Sequence, residues 1–227
     1  MKVIKKLLSY IPKKMGLPLI ISFAVNIVAF YIPRLLPIYE RYHYLNTEID
    51  NYVSLVPWTV IIYFGCYIFW GVSYIMACYQ PEDEAYRFLS AHFLAEMISL
   101  IIFIAFPTAI NRPVLADKNF FDKIMALLYA ADRPDNLFPS LHCLVSWFCC
   151  IGVRKNKKAP LWYKIFAHVF TLAICVSTLT TKQHVFVDTV SGIALAELCY
   201  WLTNIIGFKK LYKRGISLIQ SMNPFKR

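Results

Sequence analysis

Six apolar runs, parted by short polar connections, constrain this chain more than any other feature. They fall at about Met15–Pro33, Leu55–Cys78, Phe88–Ile110, Phe138–Val153, Leu161–Thr181 and Val185–Phe208. A hydrocarbon core about 30 Å thick offers backbone amides no water, so runs of this kind cross it as helices. The composition agrees: 59% of the 227 residues are hydrophobic and 16% charged, against about 45–50% and about 25% in soluble domains. The expectation is an all-α integral membrane bundle of six transmembrane helices, filling residues 1–227 as a single domain. The longest connection holds a short amphipathic stretch, Asn119–Ala130, with Phe120, Phe121, Ile124, Leu127 and Leu128 apolar. It is expected to be a helix lying on the membrane surface.

Six crossings would put both termini on one side. Seventeen of the 24 Lys and Arg residues then share that side, and seven, including Arg34, Arg112, Arg133 and Lys182, lie on the other. The positive-inside rule makes the termini cytoplasmic in a multi-pass cell-membrane protein. The net charge of +11 is thus a topology signal and an attraction to anionic headgroups. Because the basic residues sit in separate flanks, nucleic acid is a poor partner and the lipid bilayer a good one. The basic lead Met1–Lys14 precedes an apolar stretch too long for a signal-peptide core, so it reads as a retained first span. Seven cysteines lie in or beside the apolar runs without ligand-type C-x-x-C spacing, which suits small packed hydrophobes. Oligomeric state is left open.

Two stretches carry chemistry: Phe138-Pro139-Ser140-Leu141-His142 and Gln183-His184-Val185-Phe186-Val187-Asp188. Each puts a histidine at the mouth of an apolar run. The two histidines are 42 positions apart, room for one span out and one back, so they are expected to face each other on the extracytoplasmic side. His184 and Asp188, four apart, share a helix face, and the carboxylate can orient the imidazole. Alone, that pair would more often be a polar anchor at the interface. Pro139 and Ser140 begin a helix whose free N–H groups suit a phosphate, with His142 one turn in as a proton donor. Alone, that could equally be a plain helix cap. Arg112, Arg133 and Lys182 are candidate cations for phosphoryl oxygens, with Arg112 the strongest of them. Buried His92, Glu96 and Glu197 read as interhelical contacts, His168 as a packed core residue and His43 as a loop residue.

Together these residues resemble the type-2 phosphatidic acid phosphatase superfamily. Its three blocks are K-x-x-x-x-x-x-R-P, P-S-x-H and S-R-x-x-x-x-x-H-x-x-x-D. The second is complete in Pro139-Ser140-Leu141-His142. The third keeps Ser177, His184 and Asp188 but has Thr178 at the arginine position, and the first keeps Arg112-Pro113 with Ala105 for lysine. The resemblance implies a lipid phosphate or diphosphate substrate and no metal or cofactor. It implies His184 as the nucleophile that forms a phosphohistidine, Asp188 as its orienting group and His142 as the general acid. Ser140 and Arg112 would bind the phosphoryl group, and Lys182 and Arg133 could replace the two missing cations. The third block is also similar to that of the inositol phosphorylceramide and sphingomyelin synthase branch, which hands the phosphoryl head to an alcohol. A lipid phosphotransferase is therefore one rival reading, and a catalytically silent membrane protein of the same fold is another.

Overall fold

A computed structural model describes residues 11–36, 42–116 and 119–222. Most of the basic lead Met1–Lys14, the end of the basic tail, and Arg41 and Lys118 lie outside them. The described chain is all-α: α1 (Gly16–Tyr31), α2 (Glu48–Tyr52), α3 (Val60–Ala77), α4 (Glu82–Ala105), α5 (Phe120–Ala131), α6 (Leu141–Arg154), α7 (Leu161–Thr180), α8 (Phe186–Ile205) and α9 (Phe208–Ser221). β pairing among the described residues is confined to two isolated bridges, His43–Thr108 and Ala109–Asp135.

Four segments, 16–35, 57–77, 82–105 and 161–180, are long and apolar enough to cross a bilayer, and α8 joins them when taken with α9 beyond an 83° bend. Their outward faces carry large apolar side chains without protein cover, among them Ile20, Ile68, Val169 and Trp201. In water such a surface would drive aggregation; in lipid it is matched. The chain is a multi-pass membrane protein. The expected count of six crossings is not reproduced by length alone, because α6 has only 14 residues. At 1.5 Å per residue it reaches about 21 Å, short of a core about 30 Å thick.

The position of α6 accounts for its shortness. It packs against α3, α4, α7 and α8 at the centre of the bundle, and all but two of its residues are buried. A helix surrounded by protein meets little lipid, so its length is set by its neighbours. Ser140, at its start, is fully buried.

Two other boundaries depart from the sequence expectation. The third apolar run begins as helix at Glu82, not Phe88, and stops at Ala105. Glu82, Asp83 and Glu84 occupy its first turn, where carboxylates complement the positive end of the helix dipole. Phe106 precedes Pro107, which disfavours helical backbone in the residue before it, and leaves the helix with φ −141° and ψ 69°. At the other end, the stretch read as a basic tail is helical over Phe208–Ser221, turning away from α8 at Gly207 with φ +68°. Lys213 and Lys14 pair with Glu82 at 2.7 and 3.1 Å, and Lys209 with Asp83 at 2.6 Å. The start of α1 and helix α9 therefore meet the same end of the bundle.

The surface helix forms as expected. Asn119 Oδ1 accepts from the N–H groups of Phe121 and Asp122 at 2.8 and 3.1 Å, closing the first turn of α5. Met125 and Leu128 pack on Val60 and Tyr63, while Phe120 and Leu127 are exposed. His168 corrects the reading of a packed core residue: it is exposed, its Nδ1 2.7 Å from the Lys164 carbonyl. His92 and Glu96 do join helices within the core: Asn26 of α1 donates to Glu96 at 2.8 Å, and the His92 ring meets Tyr74 of α3 and Phe148 of α6 edge-on. Glu197 holds Arg154 through both oxygens, at 2.6 and 3.0 Å.

Helix α8 approaches the start of α6 closely at Gly192. A Cβ on Gly192 would stand 2.5 Å from the Ser140 carbonyl oxygen and 3.2 Å from Leu144 N. Gly192→Ala must push backbone against backbone, and should destabilise the protein by about 1–3 kcal/mol. Thermal unfolding in detergent reads this directly, and an unchanged midpoint would show that the two helices can part at no cost.

Candidate active site

The two histidines lie at the ends of adjacent elements and face one another. Their ring centroids are 6.0 Å apart, with planes inclined by 56°, and both side chains are buried. The arrangement is fixed by main-chain bonds. Ser140 N donates to the Asp188 carbonyl at 3.0 Å, tying the start of α6 to the first turn of α8. Gln183 N and His184 N both donate to the Thr178 carbonyl, at 3.0 and 3.1 Å, folding the α7–α8 turn back on itself. Lys182 in that turn has φ +52°, a left-handed conformation rare for a residue with a side chain.

Asp188 serves two partners. One carboxylate oxygen accepts from Val185 N at 3.0 Å, capping α8. The same oxygen lies 3.5 Å from His184 Nδ1, an ion-pair distance too long for a strong hydrogen bond. Neither His184 Nδ1 nor the second Asp188 oxygen has a hydrogen-bond partner. Contacts of this kind often tighten only when a charged species forms. Burial opposes protonation of His184, but Asp188 outweighs it and raises the imidazole pKa above its ordinary value. Asp50 of α2 completes the end of α8, accepting from Phe186 N at 2.7 Å.

His142 is enclosed by aromatic side chains of α3. Tyr63 stacks over it at 4.4 Å and Trp70 stands at 5.5 Å. The Tyr63 and Tyr67 hydroxyls lie 3.4 and 3.5 Å from its two ring nitrogens. Ser140 Oγ accepts from Cys143 N at 3.3 Å, which caps α6 and leaves only its O–H free to donate.

The expected cations have different fates. Arg112 stands beside His184: its guanidinium donates to Gln183 Oε1, to the Asp132 carbonyl at 2.6 Å and to the Tyr129 carbonyl at 3.4 Å. Burial lowers its pKa, with Asp132 opposing. Lys182 reaches the cavity at His184, but its Nζ donates to the carbonyls of Val53 and of Asp50. Arg133 is exposed and lines none of the cavities at the histidines. Arg34, at the end of the first span, is the cation the sequence reasoning overlooked. It is buried, with Nε 2.7 Å from Asp135 and a terminal nitrogen 3.1 Å from Asp132. The only sequence signal was its place at the same end of the bundle as the histidines. Thr178, at the arginine position of the third block, is buried and bonds the Cys175 carbonyl at 2.7 Å. Ala105, at the lysine position, is exposed.

Two openings of unlike character meet at the histidine pair. A polar cavity of about 280 Å³ reaches His184 past Asp50, Asn51, Asn111, Arg112 and Lys182. An apolar groove of about 220 Å³ between α1 and α3 reaches His142 past Ile27, Phe30, Tyr31, Tyr67 and Trp70. Asp132, Asp135 and Asn136 line the narrow space by both rings.

The profile of a family described as the PAP2 superfamily matches residues 42–202, more than half of the chain and all of the site except Arg34. No curated protein matches the chain.

The ion pairs separate the two arginines experimentally. Arg34→Ala leaves buried Asp135 and half-buried Asp132 without their cation and should cost about 3 kcal/mol. Arg133→Ala, on an exposed side chain, should stay within about 0.5 kcal/mol of the parent. Denaturation of both variants in the same detergent checks the contrast, and equal effects would contradict it.

Proposed function

Because the chain belongs to the PAP2 superfamily, a family of phosphatase-like lipid enzymes, we propose that it is a metal-independent lipid phosphatase acting through a phosphohistidine on His184. The observation that carries this reading is the pair of buried imidazoles 6.0 Å apart with Asp188 behind one of them. That spacing suits one phosphorus atom between a nucleophile and an acid. The substrate is a membrane lipid bearing a phosphate or diphosphate, such as phosphatidic acid, phosphatidylglycerol phosphate or a polyprenyl diphosphate. Its tail would lie in the apolar groove by His142, with its phosphate between the rings.

In the first step His184 Nε2 attacks phosphorus in line with the departing oxygen. The P–O bond breaks, and His142 gives the leaving oxygen its proton. In the second, His142 takes a proton from water, the water oxygen attacks phosphorus, and the N–P bond breaks to release phosphate. Asp188 orients His184 and stabilises positive charge on it throughout. Arg112 and Gln183 support phosphate binding here: Arg112 Nε and Gln183 Nε2 are buried N–H donors with no acceptor, a demand that phosphoryl oxygens satisfy. Ser140 adds a hydroxyl donor. Arg112 is the arginine that the first block keeps, and Lys182 and Arg133 stand at greater remove as cations in place of the missing lysine and arginine. The excess of basic residues on the side where α1 begins and α9 lies supports a cytoplasmic position for that end, with the site on the extracytoplasmic face.

The polar cavity favours one second reading. At about 280 Å³, with Asn46, Asn51 and Asn111 in its wall, it has room for a head group beyond the phosphoryl group. A lipid phosphotransferase would use the same residues, with an alcohol in place of water in the second step. Labelled lipid supplied with an alcohol acceptor separates the two, since transfer would exceed phosphate release.

His184→Ala in purified protein should lose turnover by several orders of magnitude, because groups acting as a unit fail together; retained phosphatase activity would defeat the assignment. The pH profile gives a second check. A nucleophilic imidazole must be neutral, so the rate falls as pH drops through its pKa, which here lies above the usual value of about 6.5. Asp188→Asn removes the charge that raises it. The acidic limb of the residual activity should therefore move to lower pH; an unmoved limb would separate Asp188 from His184.

A further inference from the structure

The two histidines are supported differently. His184 has a carboxylate in contact, while among the described residues His142 has none. Instead the Tyr63 hydroxyl, on a fully buried side chain, lies between His142 Nδ1 at 3.4 Å and Asp132 Oδ2 at 3.3 Å. The other Asp132 oxygen is held by Arg34 at 3.1 Å, and the Asp132 carbonyl by Arg112 at 2.6 Å. We propose that Tyr63 and Asp132, anchored by Arg34, form a relay that positions His142 and stabilises its protonated form. The inference rests on the phosphohistidine reading above.

Chemistry fixes the direction of the hydrogen bonds. A carboxylate only accepts, so Tyr63 donates to Asp132 and its oxygen is left to accept the Nδ1–H of His142. The working proton then sits on Nε2. That nitrogen is 3.5 Å from the Tyr67 hydroxyl, and both residues line the apolar groove where the lipid tail would lie. His184 is disposed alike, with Nδ1 towards Asp188 and Nε2 left for phosphorus. As the P–O bond breaks, Nε2–H passes to the lipid oxygen while Nδ1–H stays on Tyr63. No proton travels along the relay; Asp132 favours the imidazolium through a polarised hydroxyl.

The groups facing His142 come from four directions: Tyr63 and Tyr67 on α3, Asp132 and Asp135 between α5 and α6, Arg34 after α1, and His184 before α8. Arg34 is shared by Asp132 and Asp135, and Arg112 lies against the Asp132 carbonyl, so the carboxylates are matched by guanidinium charge and the support for protonated His142 comes through the Tyr63 hydroxyl. Tyr63 acts on substrate only through His142 and is a positioning residue.

The test compares wild type, Tyr63→Phe and Asp132→Asn on two substrates across pH. One is phosphatidic acid, whose alkoxide must be protonated to leave. The other is 4-nitrophenyl phosphate, whose phenolate departs without a proton. On phosphatidic acid Tyr63→Phe should lower kcat about 10- to 100-fold, with KM little changed. The alkaline limb of kcat should move to lower pH. The loss on 4-nitrophenyl phosphate should be much smaller, and Tyr63→Phe should add nothing in a His142→Ala background. Asp132→Asn should shift kcat and the limb in the same direction, which covers the case of a misfolded Tyr63→Phe. Equal losses on both substrates with an unmoved limb would overturn the relay and leave the phosphatase reading standing. A wild type inactive on both would overturn that reading and the relay with it.

Discussion

The contact between the start of α6 and the first turns of α8 governs the site. Ser140 N reaches the Asp188 carbonyl at 3.0 Å, and it can do so because Gly192 presents no side chain to the Ser140 carbonyl. With the two helix ends locked at that distance, His142 and His184 have little choice but to face each other. In a membrane protein such close approach draws on dispersion and small residues, because lipid gives helices no hydrophobic reason to associate. The short α6 fits the same logic: enclosed on all sides, it ends inside the bundle and carries its histidine with it.

Charge burial is the second constraint. Asp50, Asp188, Asp132 and Asp135 all stand near the histidines, and each is engaged by a backbone N–H, an imidazole or Arg34. Such groups are costly at membrane depth unless paired. The pairing also fixes geometry, since a bidentate guanidinium has few alternative poses. The positive charge at the site is therefore held in place before any substrate arrives, and little of it is free to swing. That is a preorganised arrangement suited to charge that develops during reaction.

Much of this was legible in the sequence, for physical reasons that differ from residue to residue. The apolar runs announced the helices because a bilayer allows few alternatives to them. His142, His184 and Asp188 stood out because a polar group at the mouth of an apolar run demands a partner. Helix ends were less legible: α4 begins at Glu82, because three carboxylates stabilise its first turn more than their polarity suggests. Helix α9 was hidden by its lysines, although Tyr212 and Ile216 are buried on one face. Arg34 could not be found from spacing, since its partners Asp132 and Asp135 lie about a hundred residues away in the chain. Lys182 reads as a candidate cation for phosphoryl oxygens, but its ammonium is occupied by two backbone carbonyls, a contact only tertiary structure can reveal. Arg133 reads as a candidate cation from sequence where Arg34 does not, and folding reverses them: Arg133 is exposed, while Arg34 is held by Asp132 and Asp135.

The claim that both imidazoles act on one phosphorus atom through a covalent intermediate has a direct stereochemical consequence. Two successive in-line displacements, each inverting the centre, restore the original configuration. Hydrolysis of a lipid phosphate made chiral at phosphorus with oxygen isotopes and sulfur, followed by analysis of the released thiophosphate, measures this outcome. The account predicts net retention. Net inversion would mean that water attacks the substrate directly and that His184 never carries the phosphoryl group.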